Sequence, residues 1–127
     1  MARILVAEAD LLYREMVQFM LERDGHQVVA VESGRQCLGR LEADAAFDMV
    51  VADLFLPNCD GGELVAGIRR RDAAIAIIGI ASGANGIALP MATALGIGAV
   101  LAKPFSAEEL SELAASFLGR QEGEGQS

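Results

Sequence analysis

Five short apolar runs recur along the chain, and each is followed by a stretch with the periodicity of a helix. The runs cover residues 4–7, 28–31, 49–52, 75–80 and 100–102. Such runs are typical of strands buried on both faces of a sheet. Strands that alternate with helices predict a parallel sheet with right-handed crossovers and helices on both faces.

The stretches between the runs carry helical signals. Asp10 is placed to cap the first helix, Ser33 begins a capping box for the second, and Ser106 and Glu109 form a capping box for the fifth. The predicted helices cover residues 12–24, 34–44, 62–71, 83–95 and 106–118. For a domain this small we expect a flavodoxin-like α/β fold, with five parallel strands in the order 2-1-3-4-5 and five helices.

The chain length and composition fit one globular domain. We assign residues 1–119 to it and expect the Gly-, Gln- and Glu-rich segment 120–127 to be a disordered tail. The net charge of −8 argues against nucleic acid or an anionic membrane as a direct partner. Residues 73–102 are uncharged, but glycines and a proline break them into pieces too short to span a membrane. Two cysteines without C-x-x-C spacing, and an N-terminus unlike a signal peptide, favour the cytoplasm.

Acidic side chains and a single lysine fall where three of the predicted strands end. Glu8 and Asp10 follow the first strand, Asp53 follows the third, and Lys103, the only lysine in the chain, follows the fifth. The carboxyl ends of parallel strands meet at one edge, where open α/β sheets place their chemistry. Clustered carboxylates favour a cation such as Mg²⁺. A carboxylate held beside Mg²⁺ and a lysine can accept a phosphoryl group.

These residues give the chain its resemblance to a response-regulator receiver domain of two-component signalling (the CheY-like fold), over residues 2–119. The resemblance rests on four segments in order: Glu8 after the run 4–7, Asp53 within 48–57, Asp60-Gly61, and Lys103-Pro104-Phe105. It implies that Asp53 accepts a phosphoryl group from a histidine kinase or phosphotransfer protein, and that Lys103 contacts that group. It also implies Mg²⁺ held by Asp53, the backbone carbonyl of Phe55 and, through water, Glu8.

The chain departs from the family pattern at three positions. Ala9 replaces a second acid that binds Mg²⁺ directly, Ala81 replaces a Thr or Ser at the end of the fourth strand, and Val100 replaces an aromatic residue. Asp10 is a candidate substitute ligand, and Ser82 is a candidate substitute hydroxyl. We therefore expect weak Mg²⁺ binding, and the loss of a hydrogen bond to a charged group costs about 1.5–3 kcal/mol.

Two functional hypotheses follow. The first is a stand-alone receiver that accepts a phosphoryl group on Asp53 and signals through a downstream protein or a homodimer, by way of the uncharged segment between Ile87 and Leu95 and the fifth helix. The second is a pseudo-receiver, an interaction module that works without phosphorylation because Ala9 and Ala81 leave the site incomplete. We expect no enzyme. A haloacid-dehalogenase-like phosphatase would need Asp in place of Glu8 and room for a cap domain, and Glu8 and Asp10 would repel the phosphate of a flavodoxin-like FMN binder.

Overall fold

Five strands and five helices alternate along the chain in the computed structural model, which describes residues 1–44, 46–83 and 86–126, and side chains as far as Gly119. The elements in chain order are β1 Arg3–Ala7, α1 Leu11–Arg23, β2 Gln27–Val31, α2 Gly34–Ala43, β3 Met49–Asp53, α3 Gly61–Arg71, β4 Ala76–Ser82, α4 Ala88–Leu95, β5 Ala99–Lys103 and α5 Ala107–Gln126.

The strands form one parallel sheet in the order β2-β1-β3-β4-β5. This confirms the flavodoxin-like α/β fold predicted from the alternation of strands and helices. β1 and β3 are neighbours in register, with Ala7 opposite Ala52. The residues that follow this pair, Glu8 and Asp53, therefore leave the sheet side by side.

Two hydrophobic cores lie on opposite faces of the sheet. One packs against α2, α3 and α4, and the other packs against α1 and α5. Side chains of β3 alternate between them: Val50 and Ala52 enter the first core, whereas Met49 and Val51 enter the second. By the same alternation Asp53 belongs to the face that α1 and α5 cover.

Strands β4 and β5 end later than the sequence predicted. β4 runs to Ser82 rather than residue 80, and β5 runs to Lys103 rather than residue 102. The extra residues pair with one another, Ala81 with Ala102 and Ser82 with Lys103. Their strand geometry comes from this pairing, for which the local sequence carries no signal. The extension places Ser82 beside Lys103.

Helix α4 begins later than predicted. It starts at Ala88 rather than residue 83, after Gly83 and Gly86 with φ angles of 70° and 84°. Left-handed glycines are incompatible with a helix, so the helix begins only after them. Within the described ranges, no helix of the protein is long and apolar enough to cross a bilayer.

Helix α5 is longer than predicted. The sequence analysis ended it near Leu118, whereas the helix is Ala107–Gln126. The disorder expected over 120–127 stays a prediction. Residues 121–124 include Gln and Glu, which have high helix propensity and can continue the helix past Gly119. Ser127, the last residue of the predicted tail, lies outside the described residues.

The loop after β3 is held by a close approach to Gly61, the first residue of α3. A Cβ at this position would lie 2.8 Å from the backbone oxygen of Leu54, the residue after Asp53. Backbone cannot yield as a flexible side chain can. The missing Cβ of Gly61 therefore allows α3 to begin in contact with the loop that follows Asp53.

We expect Gly61→Ala to lower the free energy of unfolding by about 1–3 kcal/mol, because the added methyl group overpacks against backbone. Gly39→Ala is the matched control, since Gly39 lies within α2 and a Cβ there meets nothing within 4 Å. It should raise stability by about 0.5–1 kcal/mol through helix propensity. Urea unfolding measures both changes, and equal effects at the two glycines would contradict the role given to Gly61.

Candidate functional site

Asp53 ends β3 with its carboxylate almost enclosed. The residue is 8% exposed, and each of its side-chain oxygens accepts a hydrogen bond. The backbone N–H of Phe55 donates to Oδ1 at 2.7 Å, and the Lys103 ammonium donates to Oδ2 at 2.9 Å. The predicted pair of Asp53 and Lys103 is therefore present and in direct contact.

Glu8 is the most deeply buried charged residue of the described chain, at 1% exposed. Its backbone N–H donates to Val31 at the end of β2, which continues the ladder past β1. Its Oε2 accepts from the backbone N–H of Asp10 at 3.1 Å, and its Oε1 accepts from the Lys103 ammonium. Glu8 thus reaches the same cation as Asp53.

Lys103 bridges the two carboxylates and is itself largely covered. The group of two carboxylates and one ammonium carries a formal charge of −1. Burial raises the pKa of Glu8 above its ordinary value, its hydrogen bonds from Lys103 and Asp10 lower it, and the charge of Asp53 raises it. For Lys103, burial alone would lower the pKa, but its hydrogen bonds to Glu8 and Asp53, and their charges, raise it.

Asp10 caps helix α1, as the sequence predicted. Its Oδ1 accepts from the backbone N–H of Tyr13 at 3.1 Å, so it is the N-cap of α1. This confirms the predicted cap and directs the carboxylate toward the helix. Its role as a substitute metal ligand remains a prediction, and one that this hydrogen bond does not favour.

The positions that depart from the family pattern offer little to the site. Ala9 is exposed and has no side-chain oxygen, and Ala81 is fully buried in the core against α2, α3 and α4. Ser82 is exposed and pairs with Lys103 in the sheet, and paired residues project to the same face. Ser82 therefore has the better placement for supplying a hydroxyl near the lysine.

The sequence analysis missed Tyr13 and Arg14 in the first turn of α1. The Lys103 nitrogen lies 4.4 Å from the centroid of the Tyr13 ring. A guanidinium nitrogen of Arg14 donates to the backbone oxygens of Glu8 at 2.9 Å and Ala9 at 3.3 Å. The available signal was their spacing after the Asp10 cap, which places both residues beside the end of β1.

Comparison with known proteins identifies the family. Residues 4–115 match the response regulator receiver domain. The chain belongs to the response-regulator receiver family. It is 31% identical to a probable transcriptional regulatory protein of Picosynechococcus sp. over 95% of the chain and 51% of that protein. It is 36% identical to the response regulator protein FleR of Pseudomonas aeruginosa over 90% of the chain and 24% of FleR. The receiver thus spans about half the length of the first relative and about a quarter of the second.

Solved structures agree with the assignment. The crystal structure of a response regulator receiver domain protein from Clostridium thermocellum superposes with a TM-score of 0.86 at 25% identity, covering 96% of this chain and 98% of that one. The likeness confirms the CheY-like arrangement of sheet and helices.

Receiver domains generally bind Mg²⁺ at the phosphorylation site, and the residues present here fit that ion incompletely. Asp53, Glu8 and a backbone carbonyl are oxygen donors of the right kind. Both carboxylates, however, already accept hydrogen bonds from Lys103, and a third carboxylate is missing at Ala9. No group of three or more potential metal-ligating side chains occurs in the described part of the chain. The Lys103 ammonium already supplies a positive charge to both carboxylates.

We expect two of the three members of the ion cluster, Lys103 and Glu8, to respond unequally to substitution. Lys103→Met should lower the free energy of unfolding by about 3 kcal/mol, because it leaves two buried carboxylates without a cation. Glu8→Gln should change it by less than about 1 kcal/mol, because it leaves a balanced pair of Asp53 and Lys103. Urea unfolding at neutral pH measures both, and equal losses would contradict the charge balance described above.

The pH dependence of the free energy of unfolding provides a control for the effect predicted for Glu8→Gln. The folded-state pKa of Glu8 lies above its ordinary value of 4.5, so the folded chain binds this proton more readily than the unfolded chain. The stability of the native chain relative to Glu8→Gln should be greatest below pH 4.5 and should decline as the pH rises through the folded-state pKa. A difference that grows with rising pH would contradict the direction of the shift.

Proposed function

We propose that this receiver accepts a phosphoryl group on Asp53 from a phosphohistidine of a histidine kinase or phosphotransfer protein. The observation that carries the proposal is the Asp53 carboxylate at the end of β3, 2.9 Å from the Lys103 ammonium. The cytoplasmic location expected from the sequence is part of the proposal. The chain is a signalling module, and its output is contact with another protein.

The transfer needs a nucleophile and a group that balances charge. A lone pair of an Asp53 oxygen forms the new P–O bond, giving an acyl phosphate. The P–N bond of the donor breaks, its electron pair returns to the imidazole nitrogen, and that nitrogen takes up a proton. The Lys103 ammonium, already in contact with Asp53, is placed to bind a phosphoryl oxygen.

The charges around Asp53 predict slow transfer. Glu8, Asp53 and Lys103 sum to −1, so an incoming phosphoryl group meets net negative charge. With Ala9 in place of a ligand, we propose that Mg²⁺ binds weakly. Asp53, the Phe55 carbonyl and Glu8 are the donors available, and the metal supplies further positive charge when bound. Ser82, on the Lys103 face of β4, is the residue we propose for the missing hydroxyl contact.

A second candidate function is that of a pseudo-receiver, which binds its partner without phosphorylation. It is favoured by one specific observation: Lys103 is already shared between Glu8 and Asp53, so the site is closed on itself. Ala9 and Ala81 remove two of the groups that would favour the phosphorylated state. The two functions differ in whether Asp53 forms an acyl phosphate at all.

We expect incubation with Mg²⁺ and acetyl phosphate to add one phosphoryl mass to the native chain. Intact-mass spectrometry detects the product, and Asp53→Asn should show no gain because the nucleophile is absent. No gain in the native chain, with acetyl phosphate or with a candidate kinase, would exclude the receiver function and favour the pseudo-receiver.

Restoring the missing groups provides the matched comparison. Ala9→Asp combined with Ala81→Thr should raise the rate of labelling, because it supplies a carboxylate ligand and a hydroxyl donor. Ser82→Ala should lower labelling in the native background and have less effect in the restored one. A restored variant that labels no faster would show that these positions do not limit the reaction.

The surface of α4 is the partner site that we propose. Leu89 is 78% exposed and Ile87 is 51% exposed, and no charged residue occurs between 73 and 102. The rest of the chain carries the whole net charge of −8, so this face is where two copies could approach without repulsion. The exposed apolar side chains suit a downstream protein or a homodimer that also uses α5.

We expect light scattering to show an average mass that rises with concentration for the native chain. Leu89→Glu should remain a monomer, because a dimer would bury a carboxylate against an apolar face. Phe19→Glu is the matched control, since Phe19 is 67% exposed on α1, away from this surface. A native chain that stays monomeric at high concentration would exclude the homodimer and leave a different protein as the occupant.

A further inference from the structure

An aromatic ring covers the ammonium of Lys103. The nitrogen lies 4.4 Å from the centroid of the Tyr13 ring, well within the range of a cation–π contact. The ammonium also donates to Glu8 and Asp53. Three groups, from the residue after β1, from β3 and from α1, therefore contact one cation that β5 supplies.

Tyr13 is held through its backbone and through its ring. Asp10 caps the backbone N–H of Tyr13, and Arg14 ties the first turn of α1 to the backbone oxygens of Glu8 and Ala9. The ring also packs against Phe105, with centroids 5.8 Å apart and an interplanar angle of 44°. Phe105 is buried and follows Lys103 by two residues. The ring is thus part of a rigid support for the lysine.

We propose that Tyr13 is a positioning residue that holds the Lys103 ammonium over Asp53. The proposal rests on the function proposed above and adds a residue outside the motif that identified the site. The lysine side chain is a flexible four-carbon stem that ends in a point charge. Contacts must therefore restrain the stem if the ammonium is to bind a phosphoryl oxygen in one position. Ala9 and Ala81 provide no polar restraint, and the negative face of an aromatic ring provides one from α1.

Simple hydrophobic packing is the competing explanation, and it makes a different prediction. Tyr13→Phe keeps the ring and its quadrupole, whereas Tyr13→Leu keeps an apolar side chain without either. If Tyr13 only fills space, Lys103 should have the same pKa in the two variants. If the ring holds the ammonium, only the leucine variant should disturb it.

The sole lysine of the chain gives a single-site measurement. Lysine labelled with ¹³C at Cε produces one resonance, and its shift against pH gives the pKa of Lys103. Tyr13→Phe and Tyr13→Leu are compared directly, because neither carries a phenol that titrates in the same range. We expect the Lys103 pKa to be lower by about 0.5 unit or more in the leucine variant. Phe19→Leu, an exposed aromatic on the same helix, should leave it unchanged.

Labelling by acetyl phosphate supplies the second measurement on the same proteins. We expect Tyr13→Phe to label at the native rate and Tyr13→Leu to label several-fold more slowly. Equal Lys103 pKa values and equal rates in the two variants would overturn the proposal, while leaving the phosphoryl-acceptor function standing. A lowered pKa without labelling of any variant would support the positioning role and overturn that function. Should Tyr13→Leu fail to fold, Tyr13→Met makes the same comparison.

Discussion

The bridge that Lys103 makes between Glu8 and Asp53 is the interaction on which the functional edge of the sheet depends. β1 and β3 are paired so that these two carboxylates leave the sheet as neighbours, and like charges in a buried setting repel strongly. The cation comes from β5, which is separated from β3 by β4. The charge balance therefore requires the complete strand order, and the strand order produces the site.

The bridge also explains why this receiver can fold with an incomplete metal site. A cluster of acids without a cation would be costly, and here the ammonium supplies the positive charge from within the chain. Glu8 and Asp53 also compete for Lys103, because both accept a hydrogen bond from the same nitrogen.

The supporting contacts are distributed unevenly around the site. On the side of α1 and α5, Tyr13 and Phe105 form an aromatic pair beside the lysine, and Arg14 anchors the loop after β1. On the side of α4, Ala81 and Val100 offer small or aliphatic side chains. Of the helices around the site, α1 thus makes the most direct contact with the ammonium, through Tyr13. Helix α4 instead presents an uncharged, apolar outer surface.

The sequence by itself determined the fold class, the strand order and the position of Asp53 at a strand end, because these follow from local periodicity, caps and the short connections of a small α/β domain. Asp10 as a cap, and Asp53 and Lys103 at strand ends, could be read in the same way. Only the tertiary structure decided that Glu8 shares the lysine and that Tyr13 covers it. It also decided that β4 extends to Ser82 and that α4 begins at Ala88. The contacts of Lys103 join residues 95 and 50 positions apart, and they depend on sheet register and on burial. Local sequence patterns carry neither quantity.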